Sequence, residues 1–215
     1  MNALAAAVVM AAGASRRMGG QPKCLLVRDG EPLVARTARL LREAGLGPLV
    51  IVLGHHAPQV QAALDASAAL AGLGGWRTAH NPQSDAGPGA SLRVGLAALR
   101  DAPGPVLVAL ADQPLLQAAD LAWLLAQWPA CAAGQHLLVP THAGQPGHPL
   151  IIDAALRSQV QAMPGGEGVR EWRRRHPAQV CAVTVDHPRF HLDADSPAQL
   201  HALEREHGLV LRWPE

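Results

Sequence analysis

The fold turns on one stretch near the start, Leu4-Ala5-Ala6-Ala7-Val8-Val9-Met10-Ala11-Ala12-Gly13-Ala14-Ser15-Arg16-Arg17-Met18-Gly19-Gly20-Gln21-Pro22-Lys23. Leu4–Ala11 is apolar throughout and holds the β-branched pair Val8-Val9, which predicts a strand buried on both faces. Small residues follow at once, and then Arg16, Arg17 and Lys23. An open parallel sheet presents its ligand site in this way, beyond the carboxyl end of a strand. A secretory leader is the rival reading. It fails on polarity, because the arginines follow the apolar run instead of preceding it, and about a dozen residues are too few to cross a bilayer.

Outward from there, short apolar runs alternate with helical patterns. Strands are predicted at Leu49–Leu53, Trp76–Ala79, Val106–Ala111, Leu137–Pro140 and Gln179–Val185. Helices are predicted at Pro32–Ala44, Pro58–Leu70, Ser91–Arg100, Ala118–Gln127, Asp153–Gln161, Gly168–Arg175 and Pro197–His207, with a Gly/Pro loop over Asn81–Ala90. This alternation implies βαβ units and an α/β domain in three layers around a mostly parallel sheet. No linker, repeat or charge block divides the chain, so residues 1–215 are expected to form a single domain.

Composition narrows the function. The 215 residues are 49% hydrophobic and 16% charged with a net charge of +1, which excludes wholesale disorder and any broad field for nucleic acid or an anionic membrane. With no Tyr, one Phe and five Trp, a base-stacking platform for single strands is not expected either. Cys24, Cys131 and Cys181 are widely spaced without a CxxC, so no disulfide, no thiolate zinc site and a cytoplasmic location are expected. His136, His142 and His148 lie six apart and read as loop residues, not metal ligands; Arg173-Arg174-Arg175 reads as a solvated helix face.

In Ala11-Ala12-Gly13, small side chains let backbone N–H groups approach a phosphate chain, while Arg17 and Lys23 neutralise it. Neither GxGxxG nor GxxxxGK[ST] is present, which disfavours a Rossmann dinucleotide site and a P-loop. Asp112-Gln113-Pro114 ends the predicted central strand, where a carboxylate suits Mg²⁺ or caps the next helix. Asp193 is the second expected metal ligand; Asp195 reads as a cap or a supporting group.

These pieces resemble the molybdenum cofactor cytidylyltransferases, nucleotidyltransferases of glycosyltransferase-A-like fold. The likeness rests on Ala11 to Lys23, Gly89-Ala90-Ser91-Leu92 with Gly95-Leu96, Asp112-Gln113-Pro114, Gly147-His148-Pro149, Gly165 to Arg170, and Asp193-Ala194-Asp195-Ser196-Pro197, in family order. Two departures stand out. The family's Gly-Asp-x-Gly-Ala-Arg is here Gly165-Gly166-Glu167-Gly168-Val169-Arg170, and the acids of its last helix start are missing at Ala198-Gln199.

The resemblance implies transfer of CMP from CTP to the phosphate of molybdopterin, releasing pyrophosphate. Asp112 and Asp193 would hold Mg²⁺, with Mn²⁺ as the other ion accepted. Arg17, Lys23 and Asp112 would be catalytic. Gly87, Gly89 and Ser91 would meet the base; Gly147, His148, Pro149 and Arg170 would hold the pterin side. Relatives using GTP carry Gly-Gly where Ala12-Gly13 stands, so the Ala12 methyl favours a pyrimidine. Three alternatives remain: a GTP-using guanylyltransferase, a transferase to another phosphate acceptor, and a chaperone delivering the cofactor to an apo-molybdoenzyme.

Overall fold

The apolar runs become strands of one sheet in the computed structural model, which describes residues 6–99 and 102–214. Leu4 and Ala5 of the expected first strand, and Arg100 of the expected third helix, lie outside the described residues. β1 (Ala6–Ala11) leads through two 3-10 turns into a short hairpin, β2 (Val27–Arg28) and β3 (Glu31–Pro32). Then follow α1 (Leu33–Glu43), β4 (Leu49–Leu53), α2 (Ala57–Asp65), β5 (Trp76–His80), α3 (Pro88–Leu99), β6 (Val106–Leu110) and α4 (Ala118–Gln127). The remainder is β7 (Leu137–His142), β8 (Gln145–Pro146), β9 (Leu150–Ile152), α5 (Ala154–Ala162), α6 (Val169–Arg175), β10 (Val180–Thr184) and α7 (Pro197–His207).

The main sheet runs β10-β7-β9-β6-β1-β4-β5, with β8 paired to β7. β6, β1, β4 and β5 are parallel, β10 is parallel to β7, and β9 runs antiparallel to both of its neighbours. Alternate residues of each strand feed opposite layers. Ala7, Val9, Leu49 and Ile51 pack on α1, α2 and α4 through Leu41, Val60, Leu64, Leu121 and Leu124. Ala6, Val8, Val50 and Val52 face α3, α5 and α6 through Leu92, Leu96, Leu156, Val160 and Trp172. At Gly95 an added Cβ would lie 2.6 Å from Val8 Cγ1 and 2.7 Å from Val52 Cγ2, so α3 sits tight on the strands that end at the site. The α/β domain with a mostly parallel sheet is as expected.

Four expectations need correcting. α2 stops at Asp65, not Leu70, because a turn at Ser67 takes the Leu70 amide (3.1 Å) although the apolar spacing continues. α3 starts at Pro88, three residues early, with proline suited to a first turn. β9 was not foreseen; three residues carry too little periodicity to announce a strand. Cys131 and Cys181 form a disulfide, with Cα atoms 5.6 Å apart across 50 residues. The turn after α4 and the edge strand β10 bring them together, a juxtaposition that spacing alone cannot reveal. Cysteine usage therefore does not point to a reducing compartment. Among the described residues no helix is long and apolar enough to cross a membrane.

Candidate active site

Beyond the carboxyl end of β1 the chain coils back on itself. Ser15 takes a left-handed conformation (φ 51°), its carbonyl accepts from the Met18 (2.9 Å) and Gly20 (3.2 Å) amides, and its Oγ accepts from the Lys23 amide (3.2 Å). Gly19 and Gly20 also have positive φ, which suits glycine. The amides of Gly13, Ala14 and Ser15 have no acceptor among the described residues. The wrap turns Lys23 into the cleft, where its ammonium pairs with both Asp112 and Asp195; Arg17 also pairs with Asp195.

Three distant segments meet on one carbonyl. The Phe190 oxygen accepts from Gln113 Nε2 (2.9 Å) and from the His148 amide (2.8 Å), and an added Cβ on Gly147 would lie 2.5 Å from it. The Ala194 amide then donates to the Asp112 carbonyl (2.9 Å). Gln113 and Gly147 thus dock the returning chain so that Asp193 and Asp195 arrive beside Asp112. Ser196 caps α7, so Asp195 is not the cap. Asp112 caps no helix either, since α4 begins at Ala118.

The charges are tightly coupled. Burial works against the Lys23 ammonium, but Asp112 and Asp195 outweigh it and raise its pKa above the ordinary value. Burial likewise opposes the Asp195 carboxylate, and the Lys23 and Arg17 partners overcome this and lower its pKa. Asp193 makes no ion pair among the described residues: burial, then the charges of Asp112 and Asp195, outweigh Lys23 and Gln113 and push its pKa up to about 7. Its Oδ1 is buried without a hydrogen-bond partner. Three carboxylates against Lys23 and Arg17 leave one surplus negative charge. Among the described residues no three ligating side chains are gathered for a metal, but Mg²⁺ needs only one or two carboxylates beside phosphate oxygens and water. Asp112 and Asp193 fit that demand.

The cleft, about 340 Å³, is lined by Ala12, Gly13, Arg17, Lys23, Gly87, Ser91, Asp112, Asp193 and Asp195, joined by Met10, Ser84, Pro88 and Leu110. Most of the expected nucleotide-side residues therefore come together. Ala11 does not; it belongs to the core at the strand end. Gly89 also lies elsewhere, on a neighbouring apolar cavity of about 200 Å³ with Met10, Leu92, Val108, Leu110, His148, Leu150, Val169 and Arg170. Its amide already donates to the Gly166 carbonyl (3.2 Å), so that N–H is not free for a base. Ser91 lies inside α3 and is not its cap. Gly147 and Pro149 are buried and are not part of its lining; His148 lines it, with its pKa pushed down to about 4 by burial and by Arg173. His136 and His142 are engaged by Asp153 and by the Val185 carbonyl.

The Gly166 departure has a steric reason. An added Cβ there would sit 2.0 Å from the Ala86 carbonyl oxygen, and one on Gly89 would sit 1.9 Å from the Glu167 oxygen. Two glycine loops clasp backbone to backbone, and Arg93 Nη1 binds the Glu167 carbonyl (2.9 Å). Sequence reasoning missed the Lys23–Asp195 pair and the buried Asn81 that holds Ser91. The signal for Asn81 was its place just after β5, at the same sheet edge.

The chain is similar in sequence and fold to known proteins. A family model described as MobA-like NTP transferase domain matches residues 7–180. A relative named nicotine blue oxidoreductase, from Paenarthrobacter nicotinovorans, is 32% identical over 200 residues, covering 91% of this chain and 94% of its own. The crystal structure of Rv0371c from Mycobacterium tuberculosis H37Rv superposes with a TM-score of 0.76 at 28% identity, over 95% of this chain and 100% of that one. A manganese complex of Rv0371c superposes at 0.69 with 25% identity, over 94% and 98%.

Proposed function

The chain belongs to the MobA-like NTP transferase family, and from that membership we propose that it transfers CMP from CTP to the terminal phosphate of molybdopterin. The observation that carries the reading is the cleft itself. Lys23, gripped by Asp112 and Asp195, faces a loop whose Gly13, Ala14 and Ser15 amides are unpaired. Unpaired amides and basic side chains suit a polyphosphate, and clustered carboxylates suit a divalent cation.

In the reaction, an oxygen of the acceptor phosphate forms a bond to the α-phosphorus as the bond to the β-phosphate oxygen breaks. Because the acceptor is already an anion, no side chain has to remove a proton. Arg17, Lys23 and the loop amides take up the charge that builds on departing pyrophosphate. Ala12, Gly87 and Ser91 face the base, while His148 and Arg170 line the acceptor side. Asp112 and Asp193 would hold Mg²⁺ or Mn²⁺, which would supply Lewis-acid stabilisation of the phosphoryl charge. A neutral His148 gives the acceptor's ring system a hydrogen-bonding partner without charge. The product passes to an apo-molybdoenzyme.

Incubation with CTP or GTP, Mg²⁺ and molybdopterin tests this: CTP-dependent pyrophosphate release is expected, and release with neither nucleotide overturns it. Release with GTP alone makes the protein a guanylyltransferase, and release with a different phosphate acceptor reassigns the substrate. The name of the Paenarthrobacter relative favours a second reading, oxidoreductase chemistry in the same cleft. Turnover of a redox substrate without pyrophosphate release would select it.

A further inference from the structure

Two buried polar side chains, Asn81 and Ser91, each 3% exposed, meet at the wall of the nucleotide cleft. Asn81 follows β5, and its amide donates to the Leu53 carbonyl of β4 (2.8 Å), which fixes its backbone to the sheet. Its Oδ1 accepts from the Gln83 amide (3.0 Å). A backbone N–H can only donate, so oxygen must occupy that side and the orientation of the carboxamide is set. Nδ2 therefore faces Ser91 Oγ, 2.9 Å away. Nδ2 can only donate too, so Ser91 Oγ accepts and its own proton must point elsewhere. No acceptor among the described residues takes that proton, and Ser91 lines the cleft.

We propose that Asn81 is a positioning residue that fixes the Ser91 hydroxyl as a one-way donor into the cleft, so that the nucleotide base must present an acceptor there. Cytosine meets the demand with its 2-carbonyl, as uracil does; guanine meets it only if its larger ring system turns O6, N7 or N3, and not its 2-amino group, toward Ser91. This rests on the reading that Ser91 faces the base, and it makes base choice a matter of hydrogen-bond polarity in addition to the space beside Ala12.

The test is titration calorimetry and steady-state kinetics of the full chain with CTP, UTP, GTP and tripolyphosphate. Asn81→Asp keeps the shape but reverses the polarity, because a carboxylate accepts from both the Gln83 amide and the Ser91 hydroxyl. We expect Kd and KM for CTP to rise about tenfold, with kcat within about twofold and tripolyphosphate affinity unchanged. Asn81→Ala buries no charge and frees the hydroxyl to rotate, so the preference for CTP over GTP should shrink; this arm stands if Asn81→Asp does not fold. Wild-type CTP affinity in Asn81→Asp, or an unaltered CTP/GTP ratio in Asn81→Ala, overturns the proposal. If the wild-type protein binds all three nucleotides alike and no tighter than tripolyphosphate, nucleotidyl transfer survives and this inference falls. If it binds none of them, the proposed function fails and takes the inference with it.

Discussion

Two cavities share the wall formed by Met10, Pro88 and Leu110, yet they are built on opposite principles. On one side Lys23, Arg17, Asp112, Asp193 and Asp195 form a dense set of charges, in which the pKa values of Lys23, Asp193 and Asp195 are displaced by burial and by their charged neighbours. On the other, Leu92, Val108, Leu150 and Val169 enclose a small apolar space, and the histidine that enters it is held neutral at physiological pH. On the proposed reading, charge developing on a phosphoryl group would be stabilised in the first, while shape, a few polar edges and Arg170 would select a partner in the second. Loss of one charge should therefore reduce turnover, whereas a change in the apolar wall should alter acceptor affinity and leave the nucleotide alone.

The largest expected effect lies on the charged side. Asp112→Ala should lower kcat about 10³-fold with thermal unfolding little changed, measured by pyrophosphate release; near-wild-type turnover would remove Asp112 from the cation's grip. Next comes the clasp of Gly166 and Glu167 on Ala86 and Gly89, beside both cavities. Gly166→Asp restores the carboxylate that resembling proteins carry, but its Cβ meets the Ala86 oxygen at 2.0 Å. It should cost about 1–3 kcal/mol in denaturant unfolding and raise the KM for CTP.

A subtler prediction follows from Asp193. Its folded pKa, about 7, lies above its ordinary value of 3.8, so its contribution to stability is fully present below pH 3.8 and is lost as pH rises through 7. The cation-free protein should thus be less stable at pH 8 than at pH 6. Added Mn²⁺ should reverse that trend, and Mn²⁺ affinity should fall about tenfold per pH unit below 7. Calorimetry at several pH values checks both, and Asp193→Asn should remove the dependence. The smallest effect belongs to the apolar side: Val169→Thr should raise the acceptor KM about threefold and leave the KM for CTP unmoved. An equal rise in both would mean that the two cavities are not functionally separate.

Much of this was legible in the sequence because the signals are local. The Val8-Val9 strand, the small residues after it and Arg17 lie within a few positions of one another, and Asp112 directly follows an unbroken apolar run. Pairings across the chain were not legible. Asp195 looked like a helix cap because Ser-Pro follows it; only the Phe190 carbonyl, binding Gln113 and the His148 amide at once, brings it to Lys23. Gly166 looked like a lost carboxylate and proves to be a backbone contact. Ser91 was expected at the start of a helix and proves to lie within it, because the sequence does not reveal that Pro88 already begins the helix. In each case local chemistry was read correctly as a possibility, and the choice between roles was made by a partner more than 70 residues away or by where a helix begins.

The most direct test follows the label of α-phosphate-labelled CTP in the presence of Mg²⁺ and molybdopterin. The account predicts that label moves to molybdopterin in equal amount with pyrophosphate released, and that Asp112→Ala abolishes both. Label that stays in CTP, or that appears as free CMP with none on the acceptor, would contradict it.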